Sequence, residues 1–124
     1  MSSDRIKWIE YKGKSILYID YSHLSKEKLQ PVLDEVTSIV PHEPPHSIRI
    51  CINVEDMKYD TSIIGQFNSL VSNTRRYVLA RAIIGIKDVP TKIMFDSVIR
   101  LTGLETETFF KMNDALDWLT EKTI

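Results

Sequence analysis

The feature that most constrains the fold of this chain is a regular alternation of short apolar runs and longer segments with helical periodicity. The runs at residues 47–54 (SIRICINV) and 78–86 (VLARAIIGI) are rich in β-branched residues, as strands are. The segment between these two runs places its apolar residues on one helical face, at Ile63, Ile64, Phe67, Leu70 and Val71. A strand, a helix and a second strand in this order predict a right-handed crossover between parallel strands.

The start of the chain has a different pattern, with two alternating runs on either side of YKGK at residues 11–14. Such runs around a short Gly-centred connection predict a β-hairpin, and the second run is apolar on both faces, which predicts an interior strand. The order is β-β-α-β-α-β-α-β-α, with strands predicted at residues 7–10, 16–20, 48–53, 81–86 and 106–109. We therefore predict a single α/β domain over residues 1–124, with about four helices on a mostly parallel sheet of four or five strands.

Composition excludes several classes of protein. The net charge is −1, so bulk attraction to nucleic acid is not expected. A helix that spans a bilayer needs about 20 consecutive apolar residues, and every apolar run in this chain is much shorter. The N-terminus also lacks the apolar segment of a signal peptide. We therefore predict a cytoplasmic protein without a transmembrane segment. The lone Cys51 lies in an apolar run and is predicted to be a buried small hydrophobe, and Trp8 and Trp118 are predicted to be core aromatics.

No pattern in the chain indicates a cofactor or a metal. The four glycines are scattered singly, so no Gly-rich phosphate-binding loop is present. His42 and His46 have a spacing that would share a metal on a helix, but Pro44 and Pro45 between them prevent a helix. The basic character of residues 61–103, with 6 Lys/Arg and 2 Asp/Glu, fits either a solvated face or a surface for an acidic partner.

Polar side chains gather where the predicted parallel strands end, at the edge of the sheet where ligands bind in such folds. Asp20 ends the second strand, the third strand is followed by Asp56, Tyr59 and Asp60, and Lys87 follows the fourth. Response-regulator receivers also combine acids with a Lys, but they need adjacent acids after the first parallel strand, and here only Asp20 is available. No arrangement supplies an acid, a base and a nucleophile together, so we predict binding rather than catalysis.

Three stretches resemble the SpoIIAA-like branch of the domains related to anti-sigma-factor antagonists, a branch grouped with STAS and Sec14-like domains. They are ILYIDYSHL (residues 16–24), ARAIIGIKDVPTKIMFDSVIRLTG (residues 80–103) and TFFKMNDALDWL (residues 108–119). Together they cover about half of the chain, and the element order covers nearly all of it. The resemblance implies a fold of four or five strands with four helices, and it implies little activity.

In the antagonists that the chain resembles, a Ser at the start of the helix after the third strand is phosphorylated. The equivalent place here is Asp60-Thr61-Ser62, where Ile63 replaces the Gly of the antagonist pattern. Asp60 is expected to cap the helix through the amide of Ser62 or Ile63. A phosphate on Thr61 or Ser62 would be stabilised by the helix field but repelled by the acids before it. Plain capping is the favoured hypothesis, and a phospho-switch is the alternative.

Two classes of function follow from the sequence. The first is a non-catalytic regulatory domain that binds a protein partner, either a regulatory kinase or an anti-sigma-like protein, with a second copy of the chain as a further candidate. The second is a carrier of an apolar small molecule or lipid, as the Sec14-like relatives imply. The predicted contact residues are Asp20, Asp56, Tyr59, Asp60, Thr61, Ser62, Gln66 and Lys87.

Overall fold

A computed structural model describes residues 4–102 and 105–122, and the strands in this part of the chain form one sheet. The strands are β1 (Ile6–Tyr11), β2 (Lys14–Asp20), β3 (Ile48–Asn53), β4 (Val78–Ile84) and β5 (Thr106–Phe109), and they lie in the sheet in chain order. β1 is antiparallel to β2, and every other neighbouring pair is parallel. The predicted hairpin and the interior position of the second strand are therefore confirmed.

The helices lie on both faces of this sheet. They are α1 (Leu29–Ile39), α2 (Ser62–Thr74), α3 (Val89–Thr102) and α4 (Met112–Glu121). Because β2 to β5 follow one another in chain order, the right-handed crossovers place α1, α2 and α3 on the same face. α4 follows the last strand and covers the opposite face. The predicted α/β class and element order are confirmed, and no helix in the described ranges is both long and apolar enough to cross a membrane.

Two apolar clusters, one on each face, hold the helices to the sheet. The larger lies under α1 to α3 and contains Leu17, Ile19 and Ile50, while the smaller lies under α4. Small side chains at Ala80 and Ala82 of β4 line the smaller cluster, so α4 can approach the sheet closely. Cys51 belongs to the same cluster and is fully buried, as predicted. The inner strands are buried on both faces, which explains why their sequences are nearly continuous apolar runs.

Two predictions need correction. β4 runs from Val78 to Ile84, so it starts three residues earlier and ends two residues earlier than predicted. It ends there because Gly85 adopts a φ of +94°. Trp8 is 43% exposed rather than buried, because β1 is an edge strand. Trp118 does pack on the smaller cluster, with its ring centroid 5.7 Å from that of Phe109.

Candidate functional site

Three loops meet at the carboxyl edge of the parallel strands, after β2, β3 and β4. Lys87 joins the loop after β4 to the loop after β3. Its Nζ lies 2.7 Å from Glu55 Oε1 and 3.4 Å from Asp56 Oδ2. His23 of the first loop places its Nδ1 3.7 Å from the same Asp56 oxygen. The hydrogen bond with Glu55 is the main cause that raises the pKa of Lys87. These side chains are about half exposed, so each ion pair contributes little stability and the cluster remains open to a ligand.

The backbone explains why these loops approach so closely. Asn53 at the end of β3 accepts a hydrogen bond from the Glu55 amide through its side-chain Oδ1, at 3.0 Å. Gly85 lies against this turn, and a Cβ on it would be 2.6 Å from both Asn53 Oδ1 and Glu55 N. Only a residue without a side chain fits here, and the left-handed φ of Gly85 favours glycine independently. The Lys87 cluster therefore depends on close backbone contact between two loops.

A polar cavity of about 220 Å³ opens beside this cluster. Asp56, Tyr59 and Lys87, which the sequence singled out, line it together with Asp88 and Thr91, which it did not. The hydroxyl groups of Tyr59 and Thr91 are 2.8 Å apart, so a hydrogen bond ties the loop after β3 to the first turn of α3. Thr91 is not among the contact residues predicted from the sequence. Its hydrogen bond with Tyr59 joins residues 32 positions apart, so no short-range pattern in the sequence indicates it.

The first turn of α2 forms a second group, built around the carboxylate of Asp60. Asp60 Oδ1 accepts hydrogen bonds from the Ser62 amide, at 2.9 Å, and from the Ser62 hydroxyl, while its Oδ2 lies 3.3 Å from Lys26 Nζ. The Ser62 hydroxyl, the Ser62 amide and Lys26, in that order, lower the pKa of Asp60 to about 2. The expected hydrogen bond from the Ser62 amide to Asp60 is present at the start of α2, although Asp60 lies one residue before the N-cap Thr61, whose own side chain makes no capping bond.

The two hydroxyl groups at this turn differ in their bonding. Ser62 donates to Asp60, whereas Thr61 is exposed and its side chain makes no hydrogen bond to any residue the structure describes. Gln66, one turn further along α2, donates from Nε2 to Gln30 Oε1 of α1 at 3.0 Å. The surface at the start of α2 is therefore shared with α1, through Lys26 on one side and Gln30 on the other.

The predicted site residues therefore fall into two groups rather than one. Asp56, Tyr59 and Lys87 line the polar cavity, while Asp60, Thr61, Ser62 and Gln66 follow the start of α2. Within residues 4–102 and 105–122, no side-chain hydrogen bond or ion pair joins the two groups.

Asp20 joins neither group. Its Oδ1 accepts from the Ser22 amide at 2.9 Å, and its backbone oxygen accepts from Arg5 at 3.0 Å, so it organises its own loop.

The chemistry available at the start of α2 is recognition. A carboxylate with a pKa of about 2 is a poor proton acceptor at neutral pH, so Asp60 orients the Ser62 hydroxyl without activating it. Nowhere in the described ranges do three His, Cys, Asp or Glu side chains converge as a metal site requires.

An exposed apolar area beside the end of β5 was not recognised from the sequence. A cavity of about 300 Å³ is lined there by Ile86, Val89, Phe109 and Phe110. Phe110 is 97% exposed and Val89 is 70% exposed. The sequence did contain an indication of this exposed residue. Phe110 is the second Phe of TFF, and because it follows the last residue of β5 it does not belong to the in-and-out alternation of that strand.

Comparison with known proteins supports the fold and goes no further. No protein-family model matches the chain, and no curated protein matches it. Among solved structures, it is similar to an anti-sigma-factor antagonist (STAS) domain protein from Planctomyces limnophilus, with a TM-score of 0.62 and 11% sequence identity. The similarity covers 93% of this chain and 97% of the other. The chain therefore has the fold of a STAS domain, as the three stretches of sequence implied.

Proposed function

We propose that this chain is a non-catalytic regulatory domain that binds a protein partner through the start of α2, in the manner of an anti-sigma-factor antagonist. The observation that carries the proposal is an exposed pair of hydroxyl groups, Thr61 and Ser62, at the first turn of α2 in a STAS fold. The fold alone does not assign a partner. The expected partner class is a regulatory kinase or an anti-sigma-like protein.

Phosphorylation of Ser62 is the proposed means of regulation. A phosphate there would replace the hydrogen bond from Ser62 to Asp60 and would add a charge of about −2 beside a carboxylate that is already ionised. The Ser62 amide is already bonded to Asp60, and the Ile63 amide lies 3.2 Å from the Asp60 carbonyl oxygen. The phosphate would therefore compete with Asp60 for the helix start, and the first turn would change its shape and charge.

The test compares Ser62→Asp with a matched control on the same helix. Ser69 of α2 is also exposed, so Ser69→Asp adds the same charge away from the helix start. We expect partners recovered with wild-type protein from its own cells to be lost with Ser62→Asp and kept with Ser69→Asp. We also expect mass spectrometry of protein from those cells to show a phosphate on the peptide that covers Thr61 and Ser62. Equal recovery with both variants, and no such phosphopeptide, would refute the switch.

A second candidate function is a carrier of an apolar small molecule, and the cavity beside Phe110 favours it. Its lining by Ile86, Val89 and Phe109 suits an apolar ligand, and the exposure of Phe110 leaves one side accessible. Native mass spectrometry of the purified protein tests this function directly. A bound apolar molecule that is lost in Phe110→Ser and kept in Trp8→Ser, a substitution at the other edge of the sheet, would favour the carrier over the regulatory domain.

Three further proposals concern the domain organisation, the place of action and the extent of the contact surface. We propose that residues 1–124 form a single domain, that it acts in the cytoplasm without turnover of its own, and that Asp56, Tyr59 and Lys87 extend the contact surface. Limited proteolysis tests the domain prediction. One protected fragment close to full length is expected, whereas two stable fragments would contradict it.

A further inference from the structure

Exposed apolar side chains gather on one side of the molecule, beside β5. Within the described ranges four large apolar side chains are exposed, and three of them are Val89, Ile93 and Phe110. Val89 and Ile93 lie one turn apart on α3, so they share a face of that helix. Val89 and Phe110 line the same cavity, so this apolar surface continues from α3 to the end of β5. An apolar area built from neighbouring elements is typical of a surface that another molecule covers.

The backbone of β5 is open beside this surface. β5 is the last strand of the sheet, and no described strand lies on its other side. The Arg81 amide donates to the carbonyl oxygen of Glu105 at 3.0 Å, and Arg81 is opposite Thr106 in the register. Because successive backbone groups of a strand alternate in direction, the odd-numbered residues of β5 bond to β4, while the amide and carbonyl of Thr108 point to the open edge. Such an edge can accept a further strand.

The charges on either side of this edge fit a second copy of the same chain. Glu107 and Lys111 flank Phe109 at equal distances in the sequence, and both are exposed. Neither forms an ion pair with any described residue. When two β5 strands pair in antiparallel about a two-fold axis at Phe109, Glu107 of each copy lies opposite Lys111 of the other. Lys111 is still extended, with a φ of −117° and a ψ of 140°, so it can take part in such a pairing.

Other occupants fit this surface less well. The nearby Lys87 and Lys92 are each paired with a carboxylate, so they do not form the uncompensated basic cluster that binds an anionic membrane. An apolar small molecule would cover the cavity but would leave the open backbone of β5 and the two charges unused. A second copy of the chain satisfies the apolar surface, the backbone and the charges together.

We propose that two copies of this chain form a two-fold symmetric dimer in which their β5 strands pair in antiparallel and cover the surface of Val89, Ile93 and Phe110. The contact joins the two five-stranded sheets into one continuous sheet. The start of α2 is not part of it, because that surface is shared with α1 through Lys26 and Gln30. The dimer therefore goes beyond the proposed function and presents two partner surfaces at once.

Charge reversal at the two ends of the contact tests the proposal. In analytical ultracentrifugation the mass of wild-type protein should rise with concentration from 14.4 kDa to twice that value. Glu107→Lys alone and Lys111→Glu alone should each raise the dimer dissociation constant about tenfold or more, because each places like charges opposite one another. An equimolar mixture of the two variants should dimerise as the wild type does, because both pairs are then of opposite charge. Glu121→Lys, the same charge change at an exposed position of α4, should have no effect.

Three outcomes would overturn the dimer. The first is a mass of 14.4 kDa at every concentration up to about 1 mM. The second is a dimer that neither charge reversal weakens, or one that the mixture of variants does not restore. The third is a monomer that holds an apolar small molecule against Phe110, which would favour the carrier function instead. Ser62→Asp should leave the dimer dissociation constant unchanged, so its effect on partner binding tests the proposed function separately.

Discussion

Replacement of Gly85 by Ala is the sharpest test of how the carboxyl edge is built. Gly85 has a φ of +94°, and an alanine there would place its Cβ 2.6 Å from Asn53 Oδ1 and from Glu55 N. The left-handed backbone costs an alanine about 1–2 kcal/mol. Displacing the Asn53 side chain also breaks its hydrogen bond to the Glu55 amide, which contributes about 1 kcal/mol. We therefore expect Gly85→Ala to lower the free energy of unfolding by about 2–3 kcal/mol.

A second glycine provides the matched control. Gly65 lies inside α2, and a Cβ on it would meet nothing within 4 Å. Gly65→Ala should therefore raise the free energy of unfolding by about 0.5–1 kcal/mol, because alanine favours the helix and restricts the unfolded chain.

Equilibrium urea unfolding of the wild type and both variants measures the two effects. Opposite signs for the two substitutions are the expected result. A loss below about 1 kcal/mol for Gly85→Ala would mean that the loops after β3 and β4 are not in backbone contact, and the described Lys87 cluster would then be wrong.

Three further predictions concern single side chains. The pKa of Asp60 is about 2 in the folded protein and 3.8 in the unfolded chain. The ionised carboxylate therefore contributes its full stabilisation of the fold above pH 3.8, and this contribution is lost as the pH falls towards 2. The urea midpoint of wild-type protein should therefore fall more steeply between these pH values than that of Asp60→Asn, and parallel curves would contradict the hydrogen bonding described. Asp60→Ala should lower the midpoint more than Ser62→Ala, and Thr61→Ala least, because of these three side chains only that of Thr61 makes no hydrogen bond to a described residue; a large effect of Thr61→Ala would contradict the capping geometry. Burial raises the pKa of Cys51 to about 12, so an aromatic disulfide reagent should modify it only after unfolding, and rapid reaction of the folded protein would contradict its burial.

Local patterns in the sequence were enough to predict the element order. Apolar spacing depends only on near neighbours, so the helical face from Ile63 to Val71 and the strand at residues 48–53 could be recognised without any tertiary contact. Asp60 belongs to the same category, because its hydrogen bonds to Ser62 span two residues. The limits of β4 did not follow from such a pattern, because the run from Val78 to Ile86 is apolar apart from Arg81 and Gly85, and only the backbone turn at Gly85 ends the strand.

The composition of the candidate site depended on tertiary structure. Asp20 is the last residue of β2 and Asp56 follows β3, yet the Asp20 carboxylate bonds within its own loop while Asp56 meets Lys87, which comes 31 residues later. The pairing of Tyr59 with Thr91 and the exposure of Phe110 likewise depend on where whole elements pack.

Arg81 is the clearest case of this limit. As one charged residue in an apolar run, it is compatible with an exposed position, and only the register of β4 under α2 and α3 places it in the core. The periodicity of a sequence indicates which residues share a face of a strand or helix. Burial and pairing depend on which other face packs against it, and that is a property of contacts between residues far apart in the chain.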